Sequence, residues 1–156
     1  MIALYISDTQ ISLAHYSRVH SSPLLVNITA VDLQGSLVED LNREELAVNH
    51  LINGIQEANN KVFITGNEIL ISLTDALVYH EAFQTEQDMS DADIITLVEW
   101  KKDKRWGSTA EKFKAFIELY NDRRQGHIIY VHDFLIQAIK KILKTFSGSP
   151  VWLGTE

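Results

Sequence analysis

The sequence predicts a mixed α/β fold in one domain, and three observations carry that prediction. Apolar runs with the two-residue period of strands alternate along the chain with stretches of helical period. The chain is 156 residues long, close to the commonest size for a single fold. Hydrophobic residues make up 46% and charged residues 22%, a globular balance that argues against a disordered chain.

Each element has its own signal. Residues 2–6 and 11–16 are β-rich and flank Ser7-Asp8-Thr9-Gln10, which makes an N-terminal hairpin. A third β-rich run, 24–31, follows Ser21-Ser22-Pro23, and Gly35 punctuates the polar stretch after it. Asn42 is placed to accept from the first-turn amides of a helix, with Glu44 and Glu45 suiting its positive end. Val48, Leu51, Ile55 and Ala58 recur at helical spacing, so one face is buried, and Asn59-Asn60 ends the helix. Residues 62–65, 69–73 and 76–79 read as strands separated by Gly66-Asn67 and Thr74-Asp75; the middle one is apolar enough to be central in a sheet. Ser90 with Asp93 opens a second helix through Ile94, Leu97 and Val98 to Trp100 and the charged run 101–105, closed by Gly107-Ser108. In 112–120, Ala115, Ile117 and Leu119 alternate with Lys114, Phe116 and Glu118, so that run reads as a strand, and 128–131 as another. Leu135, Ile139, Ile142 and Phe146 form the apolar stripe of a third helix whose late lysines, Lys140, Lys141 and Lys144, suit its negative end. Gly148 and Pro150 end it before a last strand at 151–153.

Composition excludes several functions. Fourteen basic against 21 acidic residues give a net charge of −7, which repels polyanions, so nucleic acid is not the expected partner. Zero cysteines leave no disulfide framework, thiol nucleophile or Cys-based zinc site. No apolar run approaches the roughly 18–20 residues of a membrane helix, and residues 1–8 lack the basic region and cleavage site of a signal peptide. The expected location is therefore cytoplasmic, with no direct membrane insertion.

Chemical motifs are sparse. His15, His20, His50, His80, His127 and His132 show no metal-ligand spacing on a helix, and ordinary surface or core roles suit them. Neither common Gly-rich phosphate loop is present, nor a nucleophile elbow around a serine. Asp8, Asp75, Asp88, Asp91 and Asp133 fall at element ends, where turns and caps account for Asp. The dense basic run Lys101-Lys102-Asp103-Lys104-Arg105, followed by Trp106 and joined by Arg123-Arg124, has two readings: a solvated helix end, or a dock for an acidic or phosphorylated partner.

Three stretches carry a family resemblance. The opening 2–13 looks like the phosphate-binding hairpin of actin-like domains. Residues 71–78, then Met89-Ser90-Asp91-Ala92-Asp93 on to Val98-Glu99-Trp100, are similar to the strands, helix and tryptophan of PilM. The run from Ile128 through Ile142-Leu143 to Pro150-Val151-Trp152-Leu153 is similar to its strand–helix–strand. In these stretches the chain resembles the first half of PilM, the type IV pilus assembly protein, and more remotely the GspL cytoplasmic domain of type II secretion. The resemblance implies a mixed-sheet ribonuclease H-like/actin-like domain over 1–156, with a small inserted α+β subdomain at about 76–121.

The departures from that family imply loss of catalysis. Its hairpin reads Gly-x-Asp-x-Gly and, after four more residues, Lys; Ala3, Tyr5, Ser7 and Ser12 stand at those positions here. Tyr5 cannot serve a magnesium ion as that Asp does, and Ser7 narrows the loop, so Tyr5, Ser7, Asp8, Thr9 and Ser12 form a degenerate phosphate loop. The family's Glu after the helix tryptophan is Lys101. The family's nucleotide lies between two halves, and one half alone implies no ATP hydrolysis, no cofactor and no metal. Members hold a short cytoplasmic peptide of a single-pass inner-membrane partner; Trp100, Lys101, Lys102, Lys104, Trp106, Phe113 and Phe116 are the matching material for that contact, their own core or surface roles being the alternative. The resemblance leaves self-association open. A ribonuclease H-like nuclease is the enzymatic alternative, but it needs a metal-binding carboxylate mid-way along the first strand, where Tyr5 stands and Asp8 falls in the turn instead.

Overall fold

A computed structural model describes residues 1–19, 22–64, 68–85, 89–120 and 124–155. The chain divides into two compact units, residues 1–77 with 134–156 and residues 78–133.

The first unit is built on a five-stranded mixed sheet of order β3-β2-β1-β4-β8. Its strands are β1 (Ile2–Ile6), β2 (Gln10–Val19), β3 (Ser22–Asp32), β4 (Glu68–Leu73) and β8 (Ser149–Thr155). β2 runs antiparallel to both neighbours, while β1, β4 and β8 are parallel. This is the mixed sheet of the ribonuclease H-like/actin-like class. Register stacks one apolar face: Leu4 lies between Leu13 and Ile71, and Ile6 between Ile11 and Leu73, all buried. Helix α2 (Glu44–Lys61) turns Ala47, Leu51, Ile55 and Ala58 inward, and α4 (Asp133–Thr145) turns in Leu135, Ile139 and Ile142. Each helix lies in a crossover between parallel strands running the same way across the sheet, so right-handed connections put both on one face. The opposite face carries Ala3, Tyr5, Ser12, Ala14, Leu70 and Ser72, all half-buried.

Local departures from expectation have physical causes. Asn42 caps nothing. A short helix, α1 (Leu37–Asp40), comes first with Ser36 as its cap, and α2 starts after Arg43 without a side-chain cap. Residues 62–64 are not a strand: α2 runs on to Lys61, the Val62 amide donates to Ala58, and the Asn59 side chain accepts from the Ile64 amide at 2.8 Å. Val62 and Ile64 are buried all the same, which is what their apolar character reported. Residues 75–77 form a 3-10 turn, so the next strand begins at Val78. His20, Thr65, Gly66, Asn67, Asp88 and Arg123 lie outside the described residues.

The second unit is an antiparallel sheet of order β5-β7-β6, formed by β5 (Val78–Gln84), β6 (Phe113–Leu119) and β7 (Gln125–His132). Helix α3 (Asp91–Trp106) packs on one face. Phe83, Ile94, Val98, Ile128 and Tyr130 are its core, with Tyr79, Leu97, Trp106, Ala115 and Leu119 packed around them. The unit spans residues 78–133 rather than 76–121 because β7 is the middle strand, bonded to both others.

Candidate functional site

The hairpin between β1 and β2 is held by its own polar groups. The Ser7 hydroxyl accepts from the Gln10 amide and donates to the Gln10 carbonyl, both at 3.0 Å. Asp8 Oδ1 accepts from Ser36 Oγ at 2.7 Å and from the Val38 amide at 2.8 Å, so this carboxylate fastens the first turn of α1. The carbonyls of Asp8 and Thr9 accept from the Leu37 and Leu33 amides. Ser12 donates to Gln10 Oε1 at 3.4 Å, and Gln10 in turn donates to Asp32. Tyr5 sits mid-strand, flanked in register by Ser12 and Ser72 on the half-buried face. The tip therefore spends Ser7 and Asp8 on tying β1, β2 and α1 together.

In the second unit the capping box read from sequence forms in full: Ser90 Oγ accepts from the Asp93 amide, and the Asp93 carboxylate accepts from the Ser90 amide at 3.0 Å. The hydroxyl and amide of Ser90 hold the Asp93 carboxyl below its usual range. At the other end Gly107 takes φ +55°, a conformation that favours glycine.

The seven residues read as partner-binding do not share one surface. Lys101 reaches across to Glu81 at 2.5 Å, and these side chains are only 19% and 26% exposed. Glu81 also accepts from the Tyr130 hydroxyl at 3.4 Å. Burial first, and then the Glu81 charge, push that phenol up to about 12. Trp106 stacks on Phe113, which is buried, at 4.2 Å between ring centroids, and meets Tyr130 edge-on at 4.7 Å. Arg105 lies over Trp106 and Tyr79. Lys102 pairs with Glu99 at 2.6 Å. Trp100 faces outward, 56% exposed, with the Lys104 ammonium 4.9 Å above its ring. Phe116 is on the opposite face of the sheet, across from Ile129. Structure thus brings Trp100 and Lys104 together outside and Trp106 and Phe113 together inside, and separates Phe116 from both.

This fold has known relatives in space. The PilM–PilN type IV pilus biogenesis complex superposes over 99% of this chain with a TM-score of 0.68 at 13% identity. The cytoplasmic domain of EpsL, an inner-membrane component of the Vibrio cholerae type II secretion system, superposes over 98% with a TM-score of 0.60 at 10% identity. The fold is theirs. The chain spans about half the length of those structures, 46% and 56% respectively. No protein-family model matches it, and no curated protein matches its sequence significantly.

Sequence reading missed one polar cluster, at the start of α2. Asp40, 3% exposed, pairs with the Arg43 guanidinium, and His50 Nδ1 lies 3.1 Å from its other oxygen but is not aligned for a hydrogen bond. Gly35 leaves room for that imidazole, since a Cβ there would fall 2.7 Å from His50 Cε1. Among the described residues, no three His, Asp or Glu side chains gather as a cation site, and no helix is long and apolar enough to cross a membrane.

Proposed function

We propose that the chain is a non-catalytic, cytoplasmic adaptor domain of a type IV pilus or type II secretion-like machine, holding a short peptide of a single-pass inner-membrane partner. The observation that carries this reading is the shared fold with PilM and the EpsL cytoplasmic domain along nearly the whole chain. The hairpin supports it: Tyr5 stands mid-strand where a metal-holding carboxylate would, and Asp8 is engaged as a helix tie. The inserted subdomain is the partner-reading part. Trp100 and Lys104 offer an aromatic face beside a cation on the exposed side of α3, which suits a peptide with acidic and apolar residues. Trp106, Phe113 and Lys101 support that face from within; Phe116, on the other face of the sheet, belongs to β6, an edge strand to which an extended peptide can add.

The experiment is capture from detergent-solubilised membranes of the source cell on the tagged chain, identified by mass spectrometry. Recovery of a single-pass pilus or secretion component, reduced by Trp100→Ala or Lys104→Glu, is the expected result. Recovery of none by a folded preparation overturns the adaptor reading, and magnesium- or manganese-dependent cleavage of nucleic acid would replace it with a nuclease.

A further inference from the structure

The outer edge of the first unit's sheet is apolar on both faces. Leu24, Leu25, Val26 and Ile28 of β3 are 54, 48, 55 and 63% exposed. Leu25 and Ile28 pair with Tyr16 and Ala14, which puts them on the half-buried face; Leu24 pairs with Ser17 on the other. Val26 is the extra residue of a bulge opposite His15 and Tyr16. A helix laid on one face would cover only half of these side chains. A strand added along the edge sets cross-strand neighbours beside both sets and also satisfies the edge's backbone groups.

Edge strands are ordinarily protected by charge, as β6 at an edge of the second sheet is by Lys114 and Glu118. From Ser22 to Val31, β3 carries no charged residue, although 22% of the chain is charged. A charged peptide finds no counter-charge there, whereas two copies of this strand meet without repulsion in a molecule of net charge −7. Pro23, which has no amide hydrogen, confines pairing to the residues after it.

We propose that β3 is a homotypic interface: two copies of the chain pair β3 against β3, antiparallel about a two-fold axis, joining two five-stranded sheets into one. Two-fold pairing is self-complementary and closed, so it consumes the edge without propagating. Of the eleven residues of β3, the nine after Pro23 can pair, against about 20–30 a side in a standard interface. The dimer is therefore weak and concentration-dependent. This inference stands apart from the adaptor reading, because the chain alone tests it.

Sedimentation of the 156-residue chain from about 1 μM to about 1 mM is expected to show a reversible monomer–dimer equilibrium within that range. Val26→Lys and Ile28→Lys, at sites exposed enough to leave the far-UV circular dichroism unchanged, are expected to raise Kd at least about tenfold. The chain has no cysteine, so Leu24→Cys, Val26→Cys and Ile28→Cys can each be oxidised alone; the position nearest the two-fold axis should cross-link, and Phe63→Cys, 74% exposed and outside β3, should not. A monomer at the top of the range, an open series of larger species, or a dimer indifferent to both lysine variants overturns the proposal.

Discussion

Replacing Lys101 by Met removes the cation that balances Glu81 within the second unit. Two unit charges about 4 Å apart interact by roughly 4 kcal/mol at an effective dielectric of 20, and the desolvation of both groups offsets part of that. The side chains are 19% and 26% exposed, between the surface and interior limits, so the net loss is set at roughly 2 kcal/mol. Lys101→Glu places a second carboxylate beside Glu81 and should cost about 3–4 kcal/mol. For a chain of this size a loss of about 2 kcal/mol lowers Tm by roughly 4–8 °C. Urea unfolding followed by tryptophan fluorescence reads the change, because Trp106 is stacked inside the same cluster. A cycle with Glu81→Gln should return most of the loss as coupling. A Lys101→Met protein within about 0.5 kcal/mol of the parent would refute the reasoning and return Lys101 to the solvated face. The result matters for function too: a binding defect in Lys101→Glu would report damage to the inserted unit, while Lys104→Glu probes the surface.

Three further outcomes follow from geometry. Asp8→Ala strips two hydrogen bonds from the start of α1 and should cost about 1–2 kcal/mol in chemical denaturation; an unchanged midpoint would return Asp8 to the candidates for chemistry. Gly126→Ala would set a Cβ 2.3 Å from the Glu118 carbonyl oxygen, so the pairing of β6 with β7 should fail and amide exchange there should accelerate at least about a hundredfold, some 3 kcal/mol of lost protection. Tyr130 keeps its proton in the folded state up to about 12 and loses it near 10 when unfolded, so its contribution is complete below pH 10 and falls as pH rises toward 12. Denaturation midpoints for the parent and Tyr130→Phe should converge across that window.

Much of the fold was legible because local chemistry and global packing agree. The hairpin, the Ser90–Asp93 box and the stripe Leu135–Ile139–Ile142 are each readable from a few adjacent residues. What escaped depends on partners distant in sequence. Ser36 caps a separate short helix, α1, with its hydroxyl braced by Asp8, 28 residues earlier, while α2 starts after Arg43 with no side-chain cap from Asn42. Residues 62–64 looked like a strand because burial and strand character share one apolar signal, and only the Asn59 side chain shows how that backbone is satisfied. Among the candidate site residues, charge made 101–105 look like one surface, either solvated or a dock for an acidic partner, yet Lys101 faces a buried tyrosine's carboxylate neighbour on β5 while Lys104 lies on an outward tryptophan. Helical phase separates them, and the identity of Glu81 as the waiting counter-ion is written 20 residues away.

The second unit enters at Val78 and leaves just after Val131, and these two residues are cross-strand partners. Antiparallel partners stand about 5 Å apart, so the host chain sees an excursion of 56 residues as little more than a tight bend between β4 and α4. Closing a gap that short adds almost no chain entropy to the host's folding, whatever hangs beyond it. The arrangement makes the inserted unit a cassette: its length can change at little cost to the closure of the host, and the register of the five-stranded sheet does not depend on it.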